Sequence, residues 1–475
     1  MIVENISRFI LDTNYEKIPN ETIEIIKSCF LDYLAVTIRG FNETSTQNAL
    51  KALKQINKNS IDNKLLSNYA IIGQNENNYF NEIDTAFING ISAHTLDLDD
   101  GHRLAQLHPG AVIFSTAIAV AQSNNNNSKE FIEAVLIGYE VAIILGKLVN
   151  PEHRDQGFHS TGTIGTFAAG ATASKLLKLN HSQIISALGL SGTQSSGLLE
   201  SDHQGTMGKS LHVGKAIVNG ILSVYLAKNG FTGAESIIDG NEGFINSMAI
   251  KVNKDDSTLA KYMNENFKEF HINEIYHKKY PFCRHIHSTI DSTLNIKKQM
   301  IKNEINLDSI DKITIKTYKI AAEHNNYSPK NKEDLKQSLP FAVAIALICN
   351  NININSINEL MENGLLTNNL NKNQKEIINL KNLLSKITII QDNKLSKMFP
   401  EKRPSNVNIT FNQNSKNRVL ENTTYLPLGE KENPLTKKDI LEKFHTLNPY
   451  YDMNKLKIIN EMENYTINEI INKIN

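Results

Sequence analysis

The stretch "AHTLDLDDGHRLAQLHPGA" at residues 93–111 sets Asp97, Asp99 and Asp100 among His94, His102 and His108. Carboxylates and imidazoles this close in the chain suit three uses. Both are proper ligands for zinc or non-haem iron. Both can move protons, since histidine titrates near neutrality and a neighbouring carboxylate can orient its ring. They can also form a hydrated turn ahead of a helix, which His108-Pro109 would open, because proline is favoured in a first helical turn. The spacing matches no compact metal motif such as HExxH.

Two more clusters carry candidate chemistry. "PEHRDQGFHSTGTIG" (151–165) adds His153, His159 and Thr163 in a loop that leads into a helix. The free N–H groups and positive dipole end of such a helix suit a carboxylate or phosphate. "HKKYPFCRHIHSTIDS" (277–292) holds Lys278, Lys279, Cys283, Arg284, His285 and His287. Its basic residues suit an anionic substrate, while a nucleophilic or zinc-binding Cys283 is the alternative. "GTMGKS" (205–210) ends like a phosphate loop, but His203 stands where the first glycine is required and no apolar strand leads in. Lys209 is thereby left for another task.

The elements that must hold these clusters are mostly helical. "MIVENISRFILDTNYEKI" has apolar residues at helical spacing and an acidic Glu4, so it reads as a first helix and not a signal peptide. "ETIEIIKSCFLDYLAVTIRG" (21–40) and "GAVIFSTAIAVAQS" (110–123) follow the same period. "KEFIEAVLIGYEVAIILGKLV" (129–149) is apolar almost all round and predicts a central helix. The small residues of 165–179 and 214–233 predict close helix packing. Past residue 270, "DKITIKTY" (311–318), "SKITII" (385–390) and "NVNITF" (406–411) predict strands, with helix at 337–350. "PLTKKDILEKFHTL" returns to helix, with Thr436 as N-cap and Asp439 three residues on. The expected architecture is therefore mainly α. It comprises a large all-helical domain from 1–269, a smaller inserted α+β lid domain from 270–404, and a C-terminal return to the helical domain from 405–475.

Bulk properties narrow the class. The chain has 475 residues, enough for two or three domains, and 40% apolar content. Fifty basic residues balance fifty acidic ones. No electrostatic footprint for nucleic acid or an anionic membrane follows from that. The longest apolar run, residues 110–121, is too short to span a bilayer. The three cysteines, Cys29, Cys283 and Cys349, lie far apart, as in a reducing cytosol. A cytoplasmic protein is expected, and no internal repeat is present.

Together, "NGISAHTLDLDDGHR…HPGA", "GYEVAIILGK", "GFHSTGTIGTFAAGATASKLLKL", "KSLHVGKA", "GFTG" and "YPFCRHIHSTID" resemble the MmgE/PrpD family. The likeness runs from the first helix to "ENPLTKKDILEKF" (432–444) and covers essentially the whole chain. It implies an all-helical domain built from both chain ends with an inserted α+β lid, a homodimer, and catalysis with no metal or organic cofactor. Family members include 2-methylcitrate dehydratase, cis-aconitate decarboxylase and iminodisuccinate epimerase. The implied function is a cofactor-independent lyase, dehydratase or decarboxylase, acting on a small anionic di- or tricarboxylate. An epimerase of the same family is the nearest alternative, and a metal-dependent hydrolase a more distant one.

By the same resemblance, Asp97 matches the first aspartate of the Asp-x-Asp-Asp motif and His108 the histidine of His-Pro. His159 matches the histidine of Gly-Phe-His, Lys209 the lysine before Leu-His, and Lys278 the lysine ahead of the Tyr-Pro turn. Asp97, His108, His159 and Lys209 are the expected catalytic set, with Asp97 orienting His108. His102, Arg103, Thr163, Lys278, Arg284 and His287 are the expected substrate-binding set. The chain departs from the decarboxylase and dehydratase pattern at Gly101-His102, where those members carry a pair such as Thr-Trp. It departs again at Cys283-Arg284, where the decarboxylase has a histidine. Arg103 and Arg284 would suit an extra or differently placed carboxylate.

Overall fold

The helical periodicity of the first half becomes long helices in the computed structural model, which describes residues 1–57, 69, 71–74, 80–249, 256–366, 375–413 and 416–475. α1 (Ile2–Asp12) buries Ile2, Val3, Ile6 and Ile10 along one face. α2 (Asn20–Gly40) and α3 (Glu82–His94) follow, and then α4 (Pro109–Asn124) and α5 (Ser128–Val149). α5 is buried along nearly its whole length, as its all-round apolar sequence requires. α6 (Ser160–Leu176), α7 (His181–Thr193) and α8 (Gly208–Lys228) complete the set. α6, rich in Gly, Ala, Ser and Thr, packs against α4, α5, α7 and α8 at once.

α8 is apolar along much of its length. By length and composition it could cross a membrane, yet 61% of its apolar window is buried inside the protein, the mark of a core helix.

The chain divides into two units. The first comprises Met1–Glu200, Met207–His277 and Thr436–Asn475; the second comprises Ser201–Thr206 and Lys278–Leu435. The predominance of helix agrees with the mainly α expectation. The boundaries differ from those read in the sequence. The first falls at 277–278 and not at 269–270, because the short strand β2 (Ile275–Tyr276) pairs with β1 (Gly101–His102) of the first unit. The return to the first unit begins at Thr436 and not at 405. The reason is a sheet of order β4-β3-β5-β6, made of β3 (Ile310–Thr317), β4 (Ile387–Gln391), β5 (Ser405–Gln413) and β6 (Lys416–Thr424). β5 pairs antiparallel with both β3 and β6, so the ladder holds residues 405–424 in the second unit. α9 (His287–Lys302) packs on β5, β6 and α10 (Leu339–Ile348) to close that unit's core.

The C-terminal segment then completes the helical unit. Thr436 and Asp439 form the expected capping box on helix Lys437–Leu447, which packs against α2. From that helix Lys443 extends a buried ammonium to Asp32 Oδ1 (2.6 Å) and to the carbonyl of Leu98 (2.7 Å). An aromatic cluster lies nearby. The rings of Phe30 and Phe114 are 5.3 Å apart, and Tyr139 meets Phe114 edge-on at 5.9 Å.

Candidate active site

α3 ends at His94 and α4 begins after His108, so the loop between them is anchored at both ends by buried helices. His94 Nδ1 lies 2.7 Å from Asp99 Oδ2, and both side chains are buried. The other ring nitrogen, His94 Nε2, is buried without a hydrogen-bond partner among the described residues. Asp97 takes a left-handed backbone (φ 51°), which aspartate tolerates better than most residues. Its carboxylate accepts a hydrogen bond from Lys209 Nζ at 3.0 Å, from the first turn of α8.

His108 is the N-cap of α4, with Pro109 in the first turn as expected. Its Nδ1 lies 2.7 Å from the Asp100 carbonyl oxygen. A carbonyl can only accept, so Nδ1 carries the hydrogen and Nε2 is the basic atom of the neutral ring. The Asp100 backbone thereby orients the His108 ring through Nδ1. The carboxylate beside His108 Nδ1 is that of Asp99, at 3.8 Å.

Asp100 itself is a locked, buried acid. It accepts hydrogen bonds from the Gly110 N–H (3.0 Å) and the Tyr139 hydroxyl (2.5 Å). Any side chain at position 110 would come within 2.7 Å of both carboxylate oxygens and of the Tyr139 hydroxyl, so only glycine fits. Burial pushes the Asp100 carboxyl up to about 7, Tyr139 and Gly110 opposing and Asp99 and Asp32 reinforcing the rise.

That shift predicts a pH dependence. An unfolded aspartate releases its proton near ~4, whereas folded Asp100 holds it to about 7, so this residue's effect disfavours folding progressively as pH rises between those values. Asp100→Asn keeps an acceptor for Gly110 and supplies a donor to Tyr139. Its unfolding free energy relative to the wild type should climb from pH 4 to pH 7 and then level off. Urea titrations at stepped pH measure this, and a pH-independent difference would show that Asp100 titrates normally.

The second loop cluster meets the first. His159 is the N-cap of α6; its ring stacks 5.8 Å from that of His94, which in turn lies 5.1 Å from that of His108. His159 Nδ1 faces His212 Nδ1 on α8 at 3.0 Å. Burial first, then the proximity of His212, His94, Lys209 and His108, holds the His159 imidazole well below its ordinary value, so it is neutral at pH 7. Four histidines, one lysine and three aspartates of the first unit are therefore gathered around the ends of α3, α4, α6 and α8.

Other expected residues sit in supporting positions. Thr163 is fully buried on α6, and its hydroxyl meets His153 Nε2 at 2.7 Å, while His153 Nδ1 donates to the Met248 carbonyl. Burial drives the His153 imidazole down to about 4. His102 has both ring nitrogens engaged: Nδ1 accepts from Ala105 N–H, and Nε2 donates to Glu274. Arg103 follows it, half-buried. Gly101 is explained by its β1–β2 pairing, since a side chain there would strike the Tyr276 ring at 2.3–2.9 Å.

The remaining three expected binders belong to the second unit, which Lys278 opens. Arg284 is buried, and its Nε and Nη2 both bond Glu430 Oε1 (3.2 and 2.9 Å). Its Nη1 donates to the Leu428 carbonyl and to His287 Nδ1, whose opposite nitrogen donates to the Phe282 carbonyl. The carboxylate that Arg284 holds in this structure is that of Glu430. His287 orients that pair. Cys283 Sγ lies 3.6 Å from His324 Nε2.

Sequence reasoning passed over His212, Tyr139 and the distinct roles of Asp99 and Asp100. One signal was available for His212, which follows Lys209 by three residues and so shares its helix face.

The chain belongs to the MmgE/PrpD family: the model of its N-terminal domain matches residues 4–256 and that of its C-terminal domain residues 280–465. It is 23% identical over 372 residues to the cis-aconitate decarboxylase of Homo sapiens, covering 76% of this chain and 71% of that protein. It is 23% identical over 383 residues to the cis-aconitate decarboxylase of Aspergillus terreus, covering 77% and 74%. With a cis-aconitate decarboxylase-like protein of Aspergillus oryzae it shares 26% identity over 251 residues, and the match spans about half of each chain.

Proposed function

We propose that the protein is a cofactor-independent lyase, of the decarboxylase or dehydratase kind, acting on a small di- or tricarboxylate. The observation that carries this reading is His108. Its Nδ1 hydrogen is tied to a backbone carbonyl, which makes Nε2 the basic atom, and its ring lies 5.1 Å from that of His94. The cis-aconitate decarboxylase relatives support a carboxylate substrate.

In a dehydration, His108 Nε2 takes a proton from the carbon next to a carboxylate as hydroxide leaves. In a decarboxylation the ring returns a proton to the carbon that has lost carbon dioxide. Negative charge spreads onto the adjacent carboxylate in either case, and Lys209, released in part from Asp97, offsets it. An epimerase would use the same proton step in both directions.

Incubation with cis-aconitate, 2-methylcitrate and a racemisable amino or imino diacid tests the reading. Turnover of none of them would overturn it, and racemisation of the last alone would select the epimerase. On the accepted substrate, Lys209→Met should lower kcat/KM by the equivalent of roughly 2–4 kcal/mol. Near-wild-type kcat/KM would remove Lys209 from the chemistry.

One observation favours a second reading. His94, Asp99 and His108 offer ligand atoms all within 4.8 Å of one another, a possible cation site. Against it, His94 and Asp99 already bond each other and His108 Nδ1 bonds the Asp100 carbonyl. A metal held through either Nδ1 would have to displace one of these contacts. Dialysis against a chelator distinguishes the two readings: unchanged turnover supports the proton-transfer site, and loss restored by a divalent metal supports the metal site.

A further inference from the structure

We infer that His159 and His212 share a single proton, and that His212 is the port through which the buried site exchanges protons with water. The inference rests on His159 belonging to the proton-transfer site proposed above.

The argument starts from the contact between the two Nδ1 atoms, 3.0 Å apart. Two imidazole nitrogens at that distance need one donor and one acceptor. Two N–H groups would collide head to head, and two bare nitrogens would set lone pair against lone pair. One hydrogen therefore lies between the rings. Which ring holds it decides the character of His159. With the hydrogen on His159 Nδ1, its Nε2 is bare and acts as a base. With the hydrogen on His212 Nδ1, His159 carries its own on Nε2 and acts as an acid.

The two forms interconvert as protons pass through. When His159 Nε2 takes up a proton arriving from the proton-transfer site, His159 hands its Nδ1 proton to His212. His212, now protonated on both nitrogens, releases its Nε2 proton to water. One proton enters from the proton-transfer site and one leaves to solvent, and the reverse sequence supplies a proton to that site for a decarboxylation. The resting imidazolium at His159 is avoided throughout, as its surroundings require. His94 at the end of α3, His108 at the start of α4 and Lys209 on α8 all oppose a positive charge there. Burial also fits the division of labour, for His159 is 6% exposed while His212 is half-buried on α8. The His159 backbone is fixed by its N–H bond to the Gly197 carbonyl (3.1 Å), so proton movement needs no ring flip or chain shift.

The test uses the full chain labelled with 15N-histidine. The wild type should show a through-hydrogen-bond coupling between one protonated and one bare Nδ1, absent from His212→Phe. Exchange of the His159 ring hydrogen with water should be slower in His212→Asn, whose amide can donate to His159 but cannot relay a proton. On an accepted substrate, His212→Asn should turn over about ten- to a hundredfold more slowly, less than the loss of the acid/base group itself, and should lose one limb of the pH profile. Added imidazole should restore rate to His212→Ala, which a purely structural role would not allow. Absence of the coupling overturns the shared proton. Unslowed exchange in His212→Asn overturns the port. Both readouts need no turnover, so a protein inactive on every carboxylate offered would defeat the lyase reading while the two measurements still decide this one.

Discussion

His108→Ala is expected to lower turnover of the accepted carboxylate by about 10²–10⁴-fold, the usual worth of a positioned acid/base group. The fold should survive. The ring bonds the Asp100 carbonyl and gives α4 no side-chain cap, and loss of such a hydrogen bond costs about 0.5–1.5 kcal/mol of stability. Deuterium incorporation separates chemistry from binding. In deuterated water the wild type should place deuterium on the carbon next to a carboxylate, and the variant should not. Undiminished incorporation by His108→Ala would transfer the acid/base role to His159, the N-cap histidine of α6 whose imidazole is kept neutral by burial.

The second large effect is on stability. Lys443→Met removes the cation from a fully buried pair and leaves the Asp32 carboxylate without its counter-charge, a loss of about 3–5 kcal/mol. Asp32 cannot compensate locally, since its other oxygen is already buried without a hydrogen-bond partner among the described residues. The same substitution frees the Leu98 carbonyl, immediately ahead of Asp99 and Asp100, so activity should fall along with stability. Urea unfolding measures the first effect. Adding Asp32→Asn to Lys443→Met should recover part of the loss, because removing both charges costs less than stranding one. A change below about 1 kcal/mol in Lys443→Met would show that water reaches this pair and screens it.

Much of this was legible locally. Helical periodicity located α2, α4 and α5, proline after His108 marked a helix start, and Thr436 with Asp439 announced a capping box that the structure contains. What local pattern could not supply was pairing across long separations. β6, "KNRVLENTT", is a polar edge strand with no clear alternation, and only its ladder with β5 defines it. Because β5 and β6 were not seen to pair, the return to the first unit was placed at 405. Nothing near Arg284 in sequence discloses its bond to Glu430, 146 residues away. The aspartates show a subtler failure. Asp97, Asp99 and Asp100 look interchangeable on paper. The left-handed turn at Asp97 sends them to three different partners: Lys209, His94, and Tyr139 with Gly110.

The buried grip of Lys443 on Asp32 also has a consequence in time. The two residues are 411 positions apart. At a synthesis rate of about 5–20 residues per second, the lysine leaves the ribosome roughly 20 to 80 s after the aspartate it must neutralise. Within that interval every residue of Lys278–Leu435 has been made, so the inserted unit has its whole sequence before the unit that encloses it. The chain is completed from the inside outwards. A premature stop just short of codon 443 would therefore spare the insert and strand Asp32, leaving the Leu98–Asp100 loop without its clamp.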